Sequence, residues 1–277
     1  MKNLVLRTVT GILFVAVVVA SILLHDVTDL PFYALMFFVS VAGTWEFLKM
    51  AGVLHHWLQS VFTLMMSAML SLLPLLIDRF ELLALVFCCI PFLFFFIVLC
   101  AVELFRKEEG SSPLQALALF VIPLFWIAMP IMLMGMIVED SAALLLALFI
   151  IIWLDDTLAY CAGSLFGRHK LCERISPKKT WEGFLIALVL TVAASVSFGY
   201  ISYFAGDVWS NPLKWMGFAV VVVLFGTLGD LVESMIKRSC GVKDSGNILP
   251  GHGGILDRFD SVLMAVPAAA LCALLVA

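Results

Sequence analysis

The stretch "SAALLLALFIIIWLDDTLAYCAG", residues 141 to 163, decides which class of fold this chain adopts. Residues 142 to 154 are all apolar, and a helix needs about 20 predominantly apolar residues to cross the hydrocarbon core of a bilayer. The whole chain is 64% hydrophobic and 13% charged, whereas soluble domains carry about 25% charged residues. These features predict an all-α polytopic membrane protein and exclude a soluble globular domain.

Apolar stretches of similar length recur along the chain, about nine times in all. They lie at roughly 4–24, 31–50, 57–77, 81–104, 114–134, 141–163, 183–204, 213–234 and 256–277. Cytoplasmic loops collect Lys and Arg, and with a cytoplasmic N-terminus all but two of the 16 Lys and Arg residues fall on the cytoplasmic side. The two exceptions are Arg79 and Lys214. We therefore expect about nine transmembrane helices, a cytoplasmic N-terminus and a multi-pass location in the inner (cytoplasmic) membrane.

Polar residues divide the chain into two parts. Residues 1–135 read as apolar helices with short loops, and Glu46 is predicted to be a helix-end or packing residue there. Three polar clusters follow, at 153–170, 174–183 and 229–261, all on the predicted cytoplasmic side. We predict an N-terminal transmembrane bundle over 1–135 and catalytic transmembrane helices with cytoplasmic loops over 136–277. No nucleic-acid partner is expected.

The stretch "GTLGDLVESMIKR", residues 226 to 238, places polar groups on one face of a spanning helix. They fall at i, i+3, i+4 and i+7 and are Asp230, Glu233, Ser234 and Lys237. A carboxylate at the centre of a spanning helix costs about 2.5–3.5 kcal/mol on insertion. Two interpretations stay open: a stripe of interhelical salt bridges involving Lys237 and Arg238, or a face that meets a cavity or a cation.

The stretch "ILPGHGGILDRFD", residues 248 to 260, combines glycines with two aspartates at the start of the last helix. Glycine lets backbone amides approach an anion closely, and a helix N-terminus adds partial positive charge. Asp257 and Asp230 can supply the carboxylates that Mg²⁺ takes from proteins. A flexible turn capped by Asp257 explains the glycines but not the four basic residues nearby, which are Lys237, Arg238, Lys243 and Arg258.

Two further polar segments lie on the same side. In "DDTLAY", Asp156 shares a helical face with Tyr160 and Gly163, so Asp156 rather than Asp155 is predicted to face the bundle. The pair of acids is also compatible with an ion-coupling site. In "SPKKTWEG", Lys178 and Lys179 precede the seventh span and either set topology or contact phosphate.

The polar segments of the second half resemble one enzyme family. "SMIKRSCGVKDSGNILPGHGGILDRFD", Ser234 to Asp260, is similar to the C-terminal signature of phosphatidate cytidylyltransferases, the CDP-diacylglycerol synthases. "DTLAYCAGSLFGRHK" and "ISPKKTWEG" resemble the other two segments of that family and occur in the same order. The resemblance implies that CTP and phosphatidic acid react to give CDP-diacylglycerol and pyrophosphate, with Mg²⁺ required. It also implies a homodimer with a cavity that faces the cytoplasm and opens to membrane lipid.

The site residues follow from the signature and from the charge pattern. The resemblance implies that Asp230 and Asp257 bind the metal. The residues predicted to be catalytic, mainly as phosphate contacts, are Lys237, Arg238, Lys243, Asp244, His252, Arg258 and Asp260. Those predicted to bind substrate are Asp156, Tyr160, Ser176, Lys178, Lys179, Thr180, Ser234, Gly251, Gly253 and Gly254.

Two other functions remain as alternatives at this stage. A CTP-dependent lipid-alcohol kinase would use similar groups, but it needs a base for a neutral hydroxyl and attacks the γ-phosphorus. An ion-coupled transporter would use intramembrane carboxylates, yet it predicts acids near the bilayer midplane and inverted repeats. The acids singled out above, in 153–170 and 229–261, cluster at one predicted face of the second half.

Overall fold

The structure, a computed structural model, describes residues 2–54, 56–80, 82–104, 112–205, 209–249, 251 and 253–276. Its α-helices are α1 (Lys2–Leu23), α2 (Leu30–Met50), α3 (Trp57–Phe80), α4 (Leu82–Leu104), α5 (Pro113–Pro123), α6 (Met129–Asp140), α7 (Ala142–Phe166), α8 (Trp181–Ser195), α9 (Pro212–Ser239) and α10 (Leu256–Val276). Two short antiparallel strands, β1 (Lys170–Cys172) and β2 (Ser176–Thr180), form a hairpin between α7 and α8.

The helices follow the predicted apolar stretches. A π-helical turn, Leu124–Ala128, joins α5 to α6, and a 3₁₀ turn extends α8. Pro130 has no N–H to donate to the carbonyl of Trp126, so the α-helical ladder is interrupted at the π turn. The described residues thus form nine continuous helical segments, one in each predicted stretch.

Seven of these segments are long and apolar enough to cross a membrane. The first and fourth contain the shorter apolar helices Thr8–Leu23 and Cys88–Leu104. The prediction of an all-α polytopic membrane protein is confirmed at this level, while the count of nine spans and their orientation stay predictions.

The first compact unit comprises Met1–Glu139 together with Asp244–Asp257. Its boundary at Glu139 lies near the predicted one at residue 135, but the unit also takes in a loop that the sequence assigns to the C-terminal part. Small hydroxyls join α2 to α3, because Ser67 Oγ lies 2.7 Å from Ser40 Oγ and 2.8 Å from Thr44 Oγ1. Polar groups in apolar surroundings must pair with one another in this way.

The second compact unit comprises Asp140–Lys243 and Arg258–Ala277. Its helices α7 and α8 approach closely through small residues: a Cβ on Gly183 would lie 2.9 Å from the carbonyl oxygen of Ala159 and 3.0 Å from the Cα of Gly163. Small residues at such crossings let helix backbones come together. This close contact sets the distance between α7 and the hairpin that leads into α8.

Side-chain caps define where the helices of the second unit begin. Ser141 Oγ accepts from Leu144 N at 3.2 Å at the start of α7, and Thr180 Oγ1 accepts from Gly183 N at 3.2 Å at the start of α8. At α9, Asn211 Oδ1 accepts the N–H of Leu213, and Pro212 occupies the first helical position. Such caps satisfy N–H groups that have no partner within the helix.

We expect Gly183→Ala to destabilise the second unit. The added methyl meets backbone atoms of α7, which cannot rotate away, so α8 must shift. Overpacking of this kind costs about 1–3 kcal/mol. Thermal unfolding in detergent should show a lower midpoint for this variant.

The matched control is Gly217→Ala in α9, where an added Cβ has no atom within 4 Å. Alanine favours helix over glycine, so the control should unfold at the wild-type temperature or slightly above it. Equal midpoints for the two variants would contradict the close α7–α8 contact.

Candidate active site

A cavity of about 470 Å³ in the second unit collects most of the polar residues predicted to bind substrate. α7, the hairpin, α8 and α9 form its wall. The charged wall residues are Asp155, Asp156, Lys170, Lys178, Lys179 and Asp230. Apolar groups such as Leu171 and Phe184 line the remainder, together with Tyr160 and Thr180. Equal numbers of lysines and carboxylates allow this cavity to hold both an anionic group and a cation.

The central contact of the cavity is an ion pair between the hairpin and α9. Lys179 Nζ lies 2.5 Å from Asp230 Oδ2, and both side chains are about three-quarters buried. Ser234 Oγ, one helical turn further on, donates to Asp230 Oδ1 at 3.4 Å. The sequence predicted a substrate role for Lys179 and Ser234 and a metal role for Asp230, and the structure brings the three together.

The two aspartates of α7 both line the cavity, together with Tyr160. Asp155 is buried, at 6% relative exposure, and among the described residues its Oδ1 has no hydrogen-bond partner. Asp156 is exposed. The prediction that Asp156 rather than Asp155 faces the bundle therefore stays a prediction, because the cavity wall includes both. Helical periodicity relates residues to one another but does not say which side the neighbouring helix covers.

Glu182 fixes the turn that leads into the hairpin, and the sequence analysis did not identify it. Its carboxylate accepts from the backbone N–H of Arg168 at 3.0 Å and of His169 at 3.1 Å. His169 Nδ1 also lies 2.5 Å from Glu182 Oε1. These bonds tie the chain before β1 to the first turn of α8 and so hold the lysine-bearing hairpin in place.

Two bases at the end of α9 have partners within their own unit. Lys237 is buried and forms an ion pair with Glu233, one turn earlier. Arg238 Nη1 donates to the carbonyl oxygen of Val242 at 3.0 Å. The ion pair of Glu233 and Lys237 lies within α9 and is not one of the interhelical salt bridges that the sequence suggested. Asp230 on the same helix lines the cavity. A phosphate-binding role for either base stays a prediction.

In the first unit, the glycine-rich signature folds around the carboxylate of Asp257. Its Oδ2 accepts from Gly254 N at 2.7 Å, from Ser245 N at 2.9 Å and from Ser245 Oγ at 3.0 Å. Gly251 and Gly253 have φ angles of +78° and +88°, which other residues adopt with strain. A Cβ on Gly253 would also lie 2.5 Å from Asp257 Oδ2. The glycines are thus needed both for backbone conformation and for space.

Glu46 of α2 contacts the signature loop. The sequence predicted it to be a helix-end or packing residue, and it lies one turn before α2 ends at Met50. It is 2% exposed, and its Oε2 accepts from Leu256 N and from Ser245 Oγ, each at 3.0 Å. A carboxylate inside an apolar helix needs a partner, but the sequence does not say that the partners lie about 200 positions further along the chain.

The remaining predicted residues lie in several places. Lys243, Asp244 and Arg258 are exposed, and Asp260 Oδ1 accepts from Ser261 N at 2.7 Å. Ser176 lies in β2, outside the cavity wall that the described residues form. His252 lies outside the described residues. Its predicted role as a phosphate donor stays a prediction.

Comparison with known proteins gives matches to one family. Residues 5–276 match a sequence model described as the cytidylyltransferase family. The chain is similar to the phosphatidate cytidylyltransferase of Staphylococcus aureus (strain COL), with 50% identity over 119 residues, or 43% of this chain and 44% of the relative. It is 46% identical over 129 residues to that of Staphylococcus haemolyticus (strain JCSC1435), covering 47% and 48% of the two chains. The matched segments thus span less than half the length of these relatives.

We expect Glu182→Ala to loosen the turn before β1. The substitution removes the acceptor of two backbone N–H groups and of the His169 ring. Limited trypsin digestion, followed by mass spectrometry, should show several-fold faster cleavage after Arg168 and Lys170. Glu173→Ala, which changes an exposed acid of the same hairpin, is the control. Equal cleavage rates for the two variants would contradict this role of Glu182.

Proposed function

We propose that this chain, which belongs to the cytidylyltransferase family, transfers CMP from CTP to phosphatidic acid. The products are CDP-diacylglycerol, a precursor in phospholipid biosynthesis, and pyrophosphate. The observation that carries the proposal is the cavity whose wall includes three lysines, three carboxylates and apolar groups. The lysines suit the phosphates of both substrates, and the apolar groups suit the hydrocarbon part of the lipid.

The chemistry of this transfer makes limited demands on the protein. An oxygen of the phosphatidic acid phosphate attacks the α-phosphorus of CTP, and the bond from that phosphorus to pyrophosphate breaks. The nucleophile is already ionised at neutral pH, so a strong general base is not required. What the protein must supply is alignment of the two phosphates and neutralisation of their charge.

The lysines of the hairpin can neutralise the charge of the phosphates. Lys178 is exposed and Lys179 is held by Asp230, so one is available to solvent and the other has a fixed position. We propose that both contact phosphate groups, with Lys179 exchanging part of its contact with Asp230 for the substrate. Leu171 and Phe184 offer an apolar surface for the hydrocarbon part of the lipid.

Magnesium belongs to the proposal as a prediction from the sequence resemblance. The donor chemistry fits: Asp230 and Asp257 present carboxylate oxygens, which Mg²⁺ prefers, and Mg²⁺ commonly takes only one or two protein carboxylates. Among the described residues no group of three or more His, Cys, Asp or Glu is arranged to hold a metal, so phosphate and water would complete the coordination. A bound Mg²⁺ would polarise the phosphoryl group and neutralise the leaving pyrophosphate.

The membrane arrangement is proposed in the same way. We infer nine spans with a cytoplasmic N-terminus, a location in the inner membrane and assembly as a homodimer. The positive charges support the orientation, because all but Arg79 and Lys214 fall on one side. The dimer is implied by the family resemblance.

We expect a purified-protein assay to identify the reaction. CTP labelled separately at the α- and γ-phosphate is supplied with phosphatidic acid in detergent, with and without Mg²⁺. The α-label should appear in a lipid product and pyrophosphate should be released, only when Mg²⁺ is present. Transfer of the γ-label instead would indicate a lipid kinase, and transfer of neither label would favour transport.

Variants of the ion pair test the assigned cavity in the same assay. Lys179→Met and Asp230→Asn should each lower kcat/KM by about 100-fold, since removal of one fixed group that stabilises developing charge has effects of that size. Asp140→Asn is the matched control, because Asp140 is an exposed acid at the end of α6. Equal activity of all three variants would indicate that the reaction does not take place in this cavity.

Thiol labelling tests the proposed orientation. In a background without the seven native cysteines, Leu213→Cys and Lys178→Cys are introduced at exposed positions. A membrane-impermeant maleimide applied to spheroplasts should label position 213 and leave position 178 unlabelled until the membrane is disrupted. The reverse pattern would invert the topology.

A further inference from the structure

Glu46 occupies an unusual place for an acid. It lies in α2, one turn before the helix ends at Met50, and is 2% exposed. A buried carboxylate is costly unless other groups donate hydrogen bonds to it. In the first unit those donors come from the loop of residues 244–257, about 200 positions further along the chain.

We propose that Glu46 is a positioning residue of the active site, which holds the loop 244–257 and, through Ser245, fixes the carboxylate of Asp257. The kinetic part of this inference rests on the proposed function. The structural part concerns contacts within the first unit alone.

The first contact is with the beginning of α10. Glu46 Oε2 accepts from the backbone N–H of Leu256, the first residue of that helix, at 3.0 Å. The first N–H groups of a helix have no intrahelical partner, and a negative charge there is favoured by the helix dipole. Glu46 therefore caps α10 from another helix and determines where α10 starts, one residue before Asp257.

The second contact runs through a single hydroxyl. Ser245 Oγ lies 3.0 Å from Glu46 Oε2 and 3.0 Å from Asp257 Oδ2. A hydroxyl has one proton to donate, so Ser245 is shared between the two carboxylates, and its backbone N–H also donates to Asp257 Oδ2 at 2.9 Å. Displacement of Glu46 would move Ser245 and, with it, two of the described donors that hold Asp257.

The third observation is the space around the Glu46 carboxylate. A Cβ added at Gly246 or at Gly254 would collide with its oxygens. The backbone at Gly246 and at Gly254 thus lies directly against the carboxylate of Glu46. The N–H of Gly254 also donates a hydrogen bond to Asp257. Among the described residues Glu46 Oε1 has no hydrogen-bond partner, so the two bonds of Oε2 set the orientation.

Hydrogen exchange provides a test that does not depend on activity. In Glu46→Ala, backbone amides of residues 244–257 should exchange about 10-fold faster or more than in wild type, because the substitution removes Oε2, which accepts two hydrogen bonds from this loop. In Glu46→Gln, the amide oxygen can replace Oε2, so exchange should return most of the way to wild type. Exchange in α7 to α9 should be unchanged in both variants.

The kinetic test uses the CTP and phosphatidic acid assay. A group that holds a metal-binding or reacting carboxylate typically contributes about 10–100-fold to activity or metal affinity. We expect Glu46→Ala to lower kcat by that factor with little change in the KM for phosphatidic acid, and to raise the half-saturating Mg²⁺ concentration by about 10-fold. Glu46→Gln should recover most of the loss.

A double-mutant cycle separates the proposed route from a general loss of stability. If Glu46 acts through Ser245, the effects of Glu46→Ala and Ser245→Ala on exchange and on kcat should not add. Glu139→Ala is the matched control, because Glu139 is a carboxylate of the same unit whose described contacts are with Tyr33 and His25. It should leave exchange in 244–257 unchanged.

Three results would overturn the inference: wild-type exchange of the loop in Glu46→Ala, faster exchange throughout the protein, or a mobile loop with wild-type kcat and Mg²⁺ dependence. If Glu46→Ala does not fold, loop exchange and kcat are measured for Ser245→Ala and Glu46→Gln instead. Smaller changes in both quantities are expected for these variants. A wild-type protein without CMP transfer would overturn the proposed function, while hydrogen exchange would still decide whether Glu46 holds the loop.

Discussion

Charged groups among apolar helices need partners within hydrogen-bonding distance, and the rest of this structure depends on that requirement. Low-dielectric surroundings make an unpaired charge costly and a paired one directional. In the second unit the charges of Lys179 and Asp230 are paired, as are those of Glu233 and Lys237. In the first unit Glu46 accepts hydrogen bonds from the loop 244–257 and holds it against α2. The Lys179–Asp230 pair and the Glu46 contacts each hold one segment of irregular backbone, whereas the Glu233–Lys237 pair lies within α9.

The irregular segments are where the chemistry is proposed to occur. The hairpin of β1 and β2 lines the cavity of the second unit, and Glu182 and Thr180 anchor its two ends. The loop 244–257 folds around Asp257 with glycines at the tightest points. Both segments are supported by helices; the hairpin carries lysines suited to phosphate, and the loop carries glycines and backbone amides.

Some of these features could be predicted from the sequence, and others could not. Apolar stretches located the helices because hydrocarbon burial depends on local composition, and the glycine-rich signature identified a loop whose Gly251 and Gly253 do have positive φ angles. Periodicity on α7 grouped residues by face but did not say which face the neighbouring helices cover, so it could not predict that Asp155 is buried while Asp156 is exposed. The sequence predicted Glu46 to be a helix-end or packing residue but not its partners, because they are about 200 residues away.

The sequence by itself determined the helical membrane class, the approximate position of each helix and the set of polar residues available for chemistry. These depend on composition and short-range spacing, which a chain carries at every stage of folding. Only the tertiary structure decided which charges are paired with each other. It joined Lys179 to Asp230 and placed Glu46 of α2 beside the signature loop. The pair of Glu233 and Lys237, one turn apart in α9, is by contrast local in sequence. The physical reason is that electrostatic and hydrogen-bond partners are chosen by distance in space, and helix packing sets that distance.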